Sequence, residues 1–160
     1  MKIKFFAVGG TIDKVYFDQK STYKVGEPGV YEILNEANVT FEYECESIMH
    51  KDSLDMTKKD RQLVYNRIKA DENRYIIVTH GTDTMVETAK VLRKIKDKVI
   101  VLTGSMQPAR FKASDAEFNI GTAVAAVQVM PDGVYIAMNG RIFEPEKVVK
   151  NWEQNRFEEI

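Results

Sequence analysis

The sequence is poor in the residues that usually announce chemistry: one cysteine, two histidines, one tryptophan and four prolines among 160 residues. A lone Cys45 excludes an internal disulfide. Its flank "FEYECESI" alternates like a strand, so it reads as a small apolar residue of a reducing compartment. Neither His50 nor His80 sits in a metal-ligand spacing, and His80, ending a buried strand, reads as a hydrogen-bonded structural histidine, so no metal is expected. Neither charge sign is in excess, with 23 Lys and Arg against 24 Asp and Glu, which argues against nucleic acid or an anionic membrane as partner. No apolar run approaches the ~18 residues of a membrane span, and Met1-Lys2-Ile3-Lys4 lacks the apolar core of a signal peptide, so a cytoplasmic protein is expected. Neither G-x-G-x-x-G nor G-x-x-x-x-G-K-[ST] occurs, so no recognisable phosphate cradle is encoded and no cofactor is expected. Repeats and low-complexity linkers are also missing, and the length suits one domain over residues 1–160.

What is present is alternation of strand and helix. Ile3 to Val8 forms a short apolar run stopped by Gly9-Gly10. Residues 27–37 carry Pro28 at a tolerated first-turn position and apolar residues at helical spacing. Val39 to Ile48 returns to strand character, and Thr57 with Asp60 three residues on marks the start of the next helix. "YIIVTH", "KVIVLTG" and "GVYIAM" are further strands, separated by "DTMVETAKVLRKI" and by a long helix capped by Ser114. Asn139-Gly140 is a strong two-residue hairpin signal. Short apolar strands between helices imply a three-layer α/β/α unit with a mostly parallel sheet.

In such sheets ligands sit beyond the carboxyl ends of the strands. Three of those exits pair glycine with a hydroxyl residue: Gly10-Thr11, Gly81-Thr82 and Gly104-Ser105. Turn-making glycines and helix-capping hydroxyls explain any one exit. Three alike on one sheet edge point instead to a ligand, approached closely by backbone N–H groups. With no Ser–His or Cys–His pairing apparent, hydrolysis here would need a hydroxyl nucleophile activated by Tyr or Lys, with Thr11 and Thr82 as candidates. The polar stretch after Gly10, holding Tyr16, Tyr23 and Gly26, is long for a compact domain unless it closes over a site.

At these residues the chain resembles the bacterial-type L-asparaginases, amidohydrolases with a threonine nucleophile. "GGTID" is similar to the family's first active-site signature and "VTHGTDTMVETA" to its second; "VLTGSMQPARFKASDAEFNI" resembles the segment that follows. The resemblance runs from about Ile3 to Lys150 and implies the family's flavodoxin-like amino-terminal domain. It implies Thr11 as nucleophile, Tyr23 as the lid tyrosine that assists it, Thr82 as the second active-site threonine, and Lys150 as the lysine of a Thr-Lys-Asp group. Asp83 would bind the substrate's α-ammonium and Ser53 its α-carboxylate, with Gly10, Gly81 and Ser105 also lining the substrate. The implied activity is release of ammonia from L-asparagine or a related side-chain amide through an acyl-enzyme. The implied partners are that small molecule and further copies of the chain, as a dimer or larger homo-oligomer.

Two features depart from the family. Leu54 follows Ser53 where the family commonly has a polar residue that helps hold the amino-acid head group. The chain also stops at "NWEQNRFEEI", about where the linker to the family's carboxy-terminal domain begins. The expectation is a naturally ending, single asparaginase-like domain whose amphipathic tail, with Trp152 and Phe157, packs on its own domain or a partner subunit. A module that keeps the pocket for amino-acid binding or regulation, without turnover, is the alternative from another functional class.

Overall fold

The computed structural model describes residues 1–17 and 22–160; residues 18–21 of the expected lid lie outside the described residues. In chain order, β1 (Lys2–Gly9) passes through a 3-10 turn (Thr11–Asp13) into β2 (Lys14–Phe17) and β3 (Thr22–Val25). Then come α1 (Val30–Glu36), β4 (Glu42–Lys51), a second 3-10 turn (Ser53–Asp55) and α2 (Lys58–Ala70). β5 (Tyr75–Thr79) leads through a third 3-10 turn (Thr82–Thr84) to α3 (Met85–Leu92), β6 (Val99–Thr103) and α4 (Ala116–Val129). The chain closes with β7 (Gly133–Met138), β8 (Arg141–Phe143), β9 (Val148–Asn151) and β10 (Arg156–Glu159).

The main sheet has the order β4-β1-β5-β6-β7-β8, parallel throughout except for β8 at one edge. Its five parallel strands, taken in sequence, lie in the order 2-1-3-4-5, the flavodoxin-like arrangement. Two apolar layers follow from side-chain alternation along the strands. Phe6, Val8, Ile76, Val78, Ile100 and Leu102 face α2 and α3, where Val64, Ile68, Met85 and Leu92 meet them. Phe5, Ile77, Val99 and Val101 face α1 and α4, where Leu34, Ile120, Ala123 and Val127 meet them. Because β5 and β6 are covered on both sides, their sequences are apolar runs rather than alternating ones.

Local signals act as read at several points. Thr57 and Asp60 form a reciprocal capping box that starts α2. Asn139 and Gly140 both take positive φ, 54° and 75°, so Met138 pairs directly with Arg141 across a tight turn. Other details differ. The strand expected from Val39 starts at Glu42, because Asn38 adopts φ 48° and carries the chain round a turn after α1. Asp115 rather than Ser114 occupies the N-cap of α4, although the Ser114 hydroxyl still accepts a bond from Ala116 N–H at 3.0 Å. The tail folds back as the antiparallel pair β9–β10, which buries Phe157 in the core and leaves Trp152 exposed.

Candidate active site

β1 pairs with β4 on one side and β5 on the other, so the chain direction across the sheet reverses between β1 and β5. A crevice opens beyond the strand ends at such a switch point. The two exits there are Gly10-Thr11 and Gly81-Thr82, and they touch. A Cβ on Gly10 would fall 2.4 Å from Gly81 Cα, and one on Gly81 would fall 2.6 Å from Ser53 Oγ. Gly10 also takes φ 95°, which side chains rarely allow. Three loops therefore converge, from β1, β4 and β5, at a spacing only glycine permits.

Thr11 opens its 3-10 turn half-buried, and its neighbours are clamped. Asp13 Oδ1 accepts from Gly29 N–H at 2.8 Å, Asp13 O from Gly26 N–H at 2.7 Å, and Ile12 O from Ala109 N–H at 3.1 Å. Burial pushes the Asp13 carboxyl up to about 6, against the Gly29 bond and the nearby His50 and Arg110 charges that favour its ionised form.

Across the crevice, Lys150 Nζ lies 2.9 Å from Thr82 Oγ1 and 2.5 Å from Asp83 Oδ1. The Lys150 side chain is 9% exposed and Asp83 22%, so the pair sits at the wall of the site rather than on open surface. Lys150 reaches it from β9, which is fixed by its partner: Phe157, opposite Lys150, is buried and donates its N–H to Asn139 Oδ1 at 2.9 Å. Asn139 N–H in turn bonds Asn119 Oδ1 at 3.2 Å, and Asn119 Nδ2 donates to Gly104 O at 3.0 Å and Asp115 Oδ2 at 2.9 Å. Asp115 accepts from the N–H groups of Met106 and Gln107, each at 3.0 Å. One polar chain thus ties the β6 exit to the hairpin carrying Lys150. Asn139, marked in the sequence only as a turn residue, is its hinge.

His80 supports the β5 exit. It is fully buried, its Nδ1–H donates to Gly81 O at 2.7 Å, and its Nε2 accepts from Thr88 Oγ1 at 2.8 Å. Holding that carbonyl fixes the planar Gly81–Thr82 peptide and hence the direction of the Thr82 N–H. Burial pulls the imidazole down to about 4, so it is neutral at pH 7. Among the described residues no cluster of His, Cys, Asp and Glu is built to hold a metal.

The remaining expected residues divide. Ser53 is 1% exposed, and its Oγ has no hydrogen-bond partner among the described residues. Its turn is fixed from both sides, with Thr84 Oγ1 donating to Ser53 O at 2.8 Å and Asp52 Oδ1 accepting from Leu54 N–H at 3.1 Å. A buried, unpaired hydroxyl beside Gly81 is costly unless something arrives to bond it. Ser105 is also buried, but its hydroxyl donates to the Gln107 carbonyl and is spent holding its own turn. Tyr23 is not brought onto Thr11 by any hydrogen bond among the described residues. Its half-exposed ring packs 5.5 Å from Tyr16 and 5.9 Å from Phe111, between centroids. The apolar groove of about 260 Å³ between α1 and α4 is lined by none of these groups, so chemistry rather than volume locates the site.

The family model for the asparaginase N-terminal domain matches residues 2–158. The chain belongs to the asparaginase family. It is 36% identical over 71% of its length to a glutaminase-asparaginase of Acinetobacter glutaminasificans, and 33% identical over 92% to L-asparaginase 2 of Escherichia coli K12. The thermostable L-asparaginase of Thermococcus kodakarensis superposes on the whole chain with TM-score 0.86 at 27% identity. A probable cytoplasmic L-asparaginase of Campylobacter jejuni covers 99% of it with TM-score 0.80 at 27% identity. The chain spans 36% and 46% of those two curated asparaginases and 51% of each solved asparaginase chain. No described helix is long and apolar enough to cross a membrane.

Proposed function

We propose that the chain is the nucleophile-bearing part of an amidohydrolase that releases ammonia from L-asparagine or a related side-chain amide. The observation that carries this is the Thr82–Asp83–Lys150 group, joined across 68 residues of sequence, beside the Gly10–Gly81 contact that holds Thr11 at the same crevice.

Thr11 Oγ attacks the amide carbon, and its proton passes to the leaving nitrogen, so that the C–N bond breaks with loss of ammonia and an acyl ester remains on Thr11. Water then adds to the ester, the C–O bond to Thr11 breaks, and a carboxylic acid leaves with the hydroxyl regenerated. Backbone N–H groups at the Gly10 and Gly81 turns would meet the oxyanion of each step. Lys150 Nζ donates to Thr82 Oγ1 at 2.9 Å; to act as base it would first yield a proton and then accept from that hydroxyl. Asp83 uses Oδ1 on Lys150 and keeps Oδ2 for a substrate ammonium. The unpaired Ser53 hydroxyl suits the α-carboxylate. Tyr23 would assist Thr11 from the β2–β3 pair, where its ring packs against Phe111.

The proposal includes a homo-oligomer and a cytoplasmic setting; the Campylobacter neighbour is described as probably cytoplasmic, and the unpaired Cys45 suits a reducing compartment. The test is ammonia release from asparagine, glutamine, their D-isomers and small amides, with Thr11→Ala as control and sedimentation to count subunits. Activity lost in Thr11→Ala with an unchanged fold supports the mechanism. Wild-type turnover in that variant removes it, and tight amino-acid binding by calorimetry with no ammonia identifies a binding module instead.

A further inference from the structure

Lys150 has a third neighbour that the Thr82 and Asp83 contacts leave unexplained. The Trp152 ring centroid lies 4.5 Å from Lys150 Nζ. Residues two apart on a strand share a face, so placing Trp152 directly after β9 puts its indole on the side of the sheet from which Lys150 projects. The turn that presents it is pinned: Gln154 N–H donates to Asn151 Oδ1 at 3.0 Å, and Asn151 Nδ2 to Glu158 Oε2 at 3.1 Å.

Trp152 is 62% exposed, and its burial therefore does not explain its presence. A single exposed aromatic is ordinary on a surface, so what distinguishes this one is its contact. Here one face meets a cation, which an indole attracts through its electron-rich surface. The ammonium has three donor hydrogens; it donates to Thr82 Oγ1 and Asp83 Oδ1, and the indole ring stands beside it as a third neighbour. Among the described residues, Asp52, itself ion-paired to Lys14 at 2.8 Å, also interacts electrostatically with Lys150.

We infer that Trp152 is a positioning residue for the amide-hydrolysing centre: its ring seats the Lys150 amine on Thr82 and Asp83 and keeps it from swinging into solvent. It acts through Lys150 and need not touch the substrate. The inference rests on the amidohydrolase reading for its consequence in turnover, while the seating itself is independent of that reading.

The experiment therefore has two arms on the chain of residues 1–160. In the first, lysine side-chain NMR reads the Lys150 ε-methylene protons, which an indole face shifts upfield. The shift is expected in the wild type, kept in Trp152→Phe and lost in Trp152→Leu, with melting temperature unchanged because the side chain is exposed. In the second, kcat and KM for amide hydrolysis are measured on the same variants. Trp152→Leu is expected to lower kcat between about 2-fold and about 30-fold with KM unchanged, spanning the range of a cation–aromatic contact, and Trp152→Phe to recover most of it. A wild-type spectrum without the upfield shift overturns the seating, whatever the activity. An upfield shift with full kcat in Trp152→Leu overturns the positioning role. An upfield shift in a protein that releases no ammonia upholds the seating and shows that the amidohydrolase reading has failed.

Discussion

Gly10 and Gly81 meet backbone to backbone at the ends of β1 and β5, closer than any Cβ allows: one built on Gly10 falls 2.4 Å from both N and Cα of Gly81. The two positions are not equivalent. Gly10 needs φ 95°, whereas Gly81 has φ −64° and ψ 140°, ordinary extended backbone. Gly10→Ala combines strain with a main-chain collision and is expected to cost roughly 3 kcal/mol or more. Gly81→Ala collides chiefly with the Ser53 side chain and is expected to cost roughly 1–3 kcal/mol. Adding Ser53→Gly to Gly81→Ala should return part of that loss and return nothing to Gly10→Ala. Urea melts of the single and double variants measure it; equal rescue of both would mean that the two glycines share one cause.

The Lys150–Asp83 contact makes a second prediction. Asp83→Asn removes the charge that holds the ammonium but keeps an oxygen at the same place. Ammonia release is expected to fall by a factor on the order of 100 or more, as for loss of a positioned acid–base group. Thr82→Ser, which keeps the hydroxyl that Lys150 meets at 2.9 Å, should retain most activity, while Thr82→Val should not. Steady-state ammonia assays suffice; a fully active Thr82→Val would exclude a role for that hydroxyl.

Much of this frame is legible in the sequence because its causes are local. Apolar runs such as Ile76 to Val78 and Val99 to Leu102 must be covered on both faces, which implies parallel strands between helices. Thr57 with Asp60, and Asn139 with Gly140, state their own geometry. The antiparallel pair β9–β10 does not, since Arg156, Glu158 and Glu159 surround a single buried Phe157 and no alternation stands out. That Lys150 meets Thr82 is equally silent, because the contact depends on the Asn119–Asn139–Phe157 relay rather than on any spacing. Resemblance to the family placed Lys150 with Thr82 and Asp83; physical reading of the residues alone stopped at the two threonines. The packing of Tyr23 on Phe111 was legible by neither route, since it joins segments 88 residues apart through exposed rings.

Asp13 and His80 oppose each other in acid. Burial raises Asp13 from 3.8 to about 6, so its native form holds a proton that the unfolded chain has lost. Stability from this group is full below about pH 4 and is lost as pH rises to about 6. His80 is lowered from 6.5 to about 4, so its contribution is full above pH 6.5 and is lost as pH falls towards 4. At about 1.4 kcal/mol per pH unit, each effect integrates to roughly 3 kcal/mol and the two largely cancel between pH 4 and 6.5. Asp13→Asn keeps an acceptor for Gly29 N–H but removes the buried carboxyl, so the His80 slope should emerge. Denaturant unfolding at pH 4.5 and 6.5 is expected to show a much larger stability gain with pH in the variant than in the wild type. Parallel profiles would show that Asp13 keeps an ordinary carboxyl in the fold.

Leu54 bears on which substrate the crevice accepts. Its side chain is 66% exposed and its N–H is already committed to Asp52 Oδ1, so neither can bond a substrate carboxylate. Ser53 next to it is the reverse, a buried hydroxyl with no hydrogen-bond partner among the described residues. If the amino-acid head group sits at this turn, Leu54→Gln supplies a second donor at an exposed position with little effect on folding. KM for asparagine is then expected to fall about tenfold or more with kcat little changed, since a hydrogen bond to a charged group contributes roughly 1.5–3 kcal/mol. Ser53→Ala should do the opposite to KM while leaving the ligand-free protein as stable as before or slightly more so, because it deletes an unsatisfied buried group. Substrate kinetics and a thermal melt on both variants decide the matter. An unchanged KM in both would move the head group away from residues 53–55, and amides without a free α-carboxylate would become the better substrates to try.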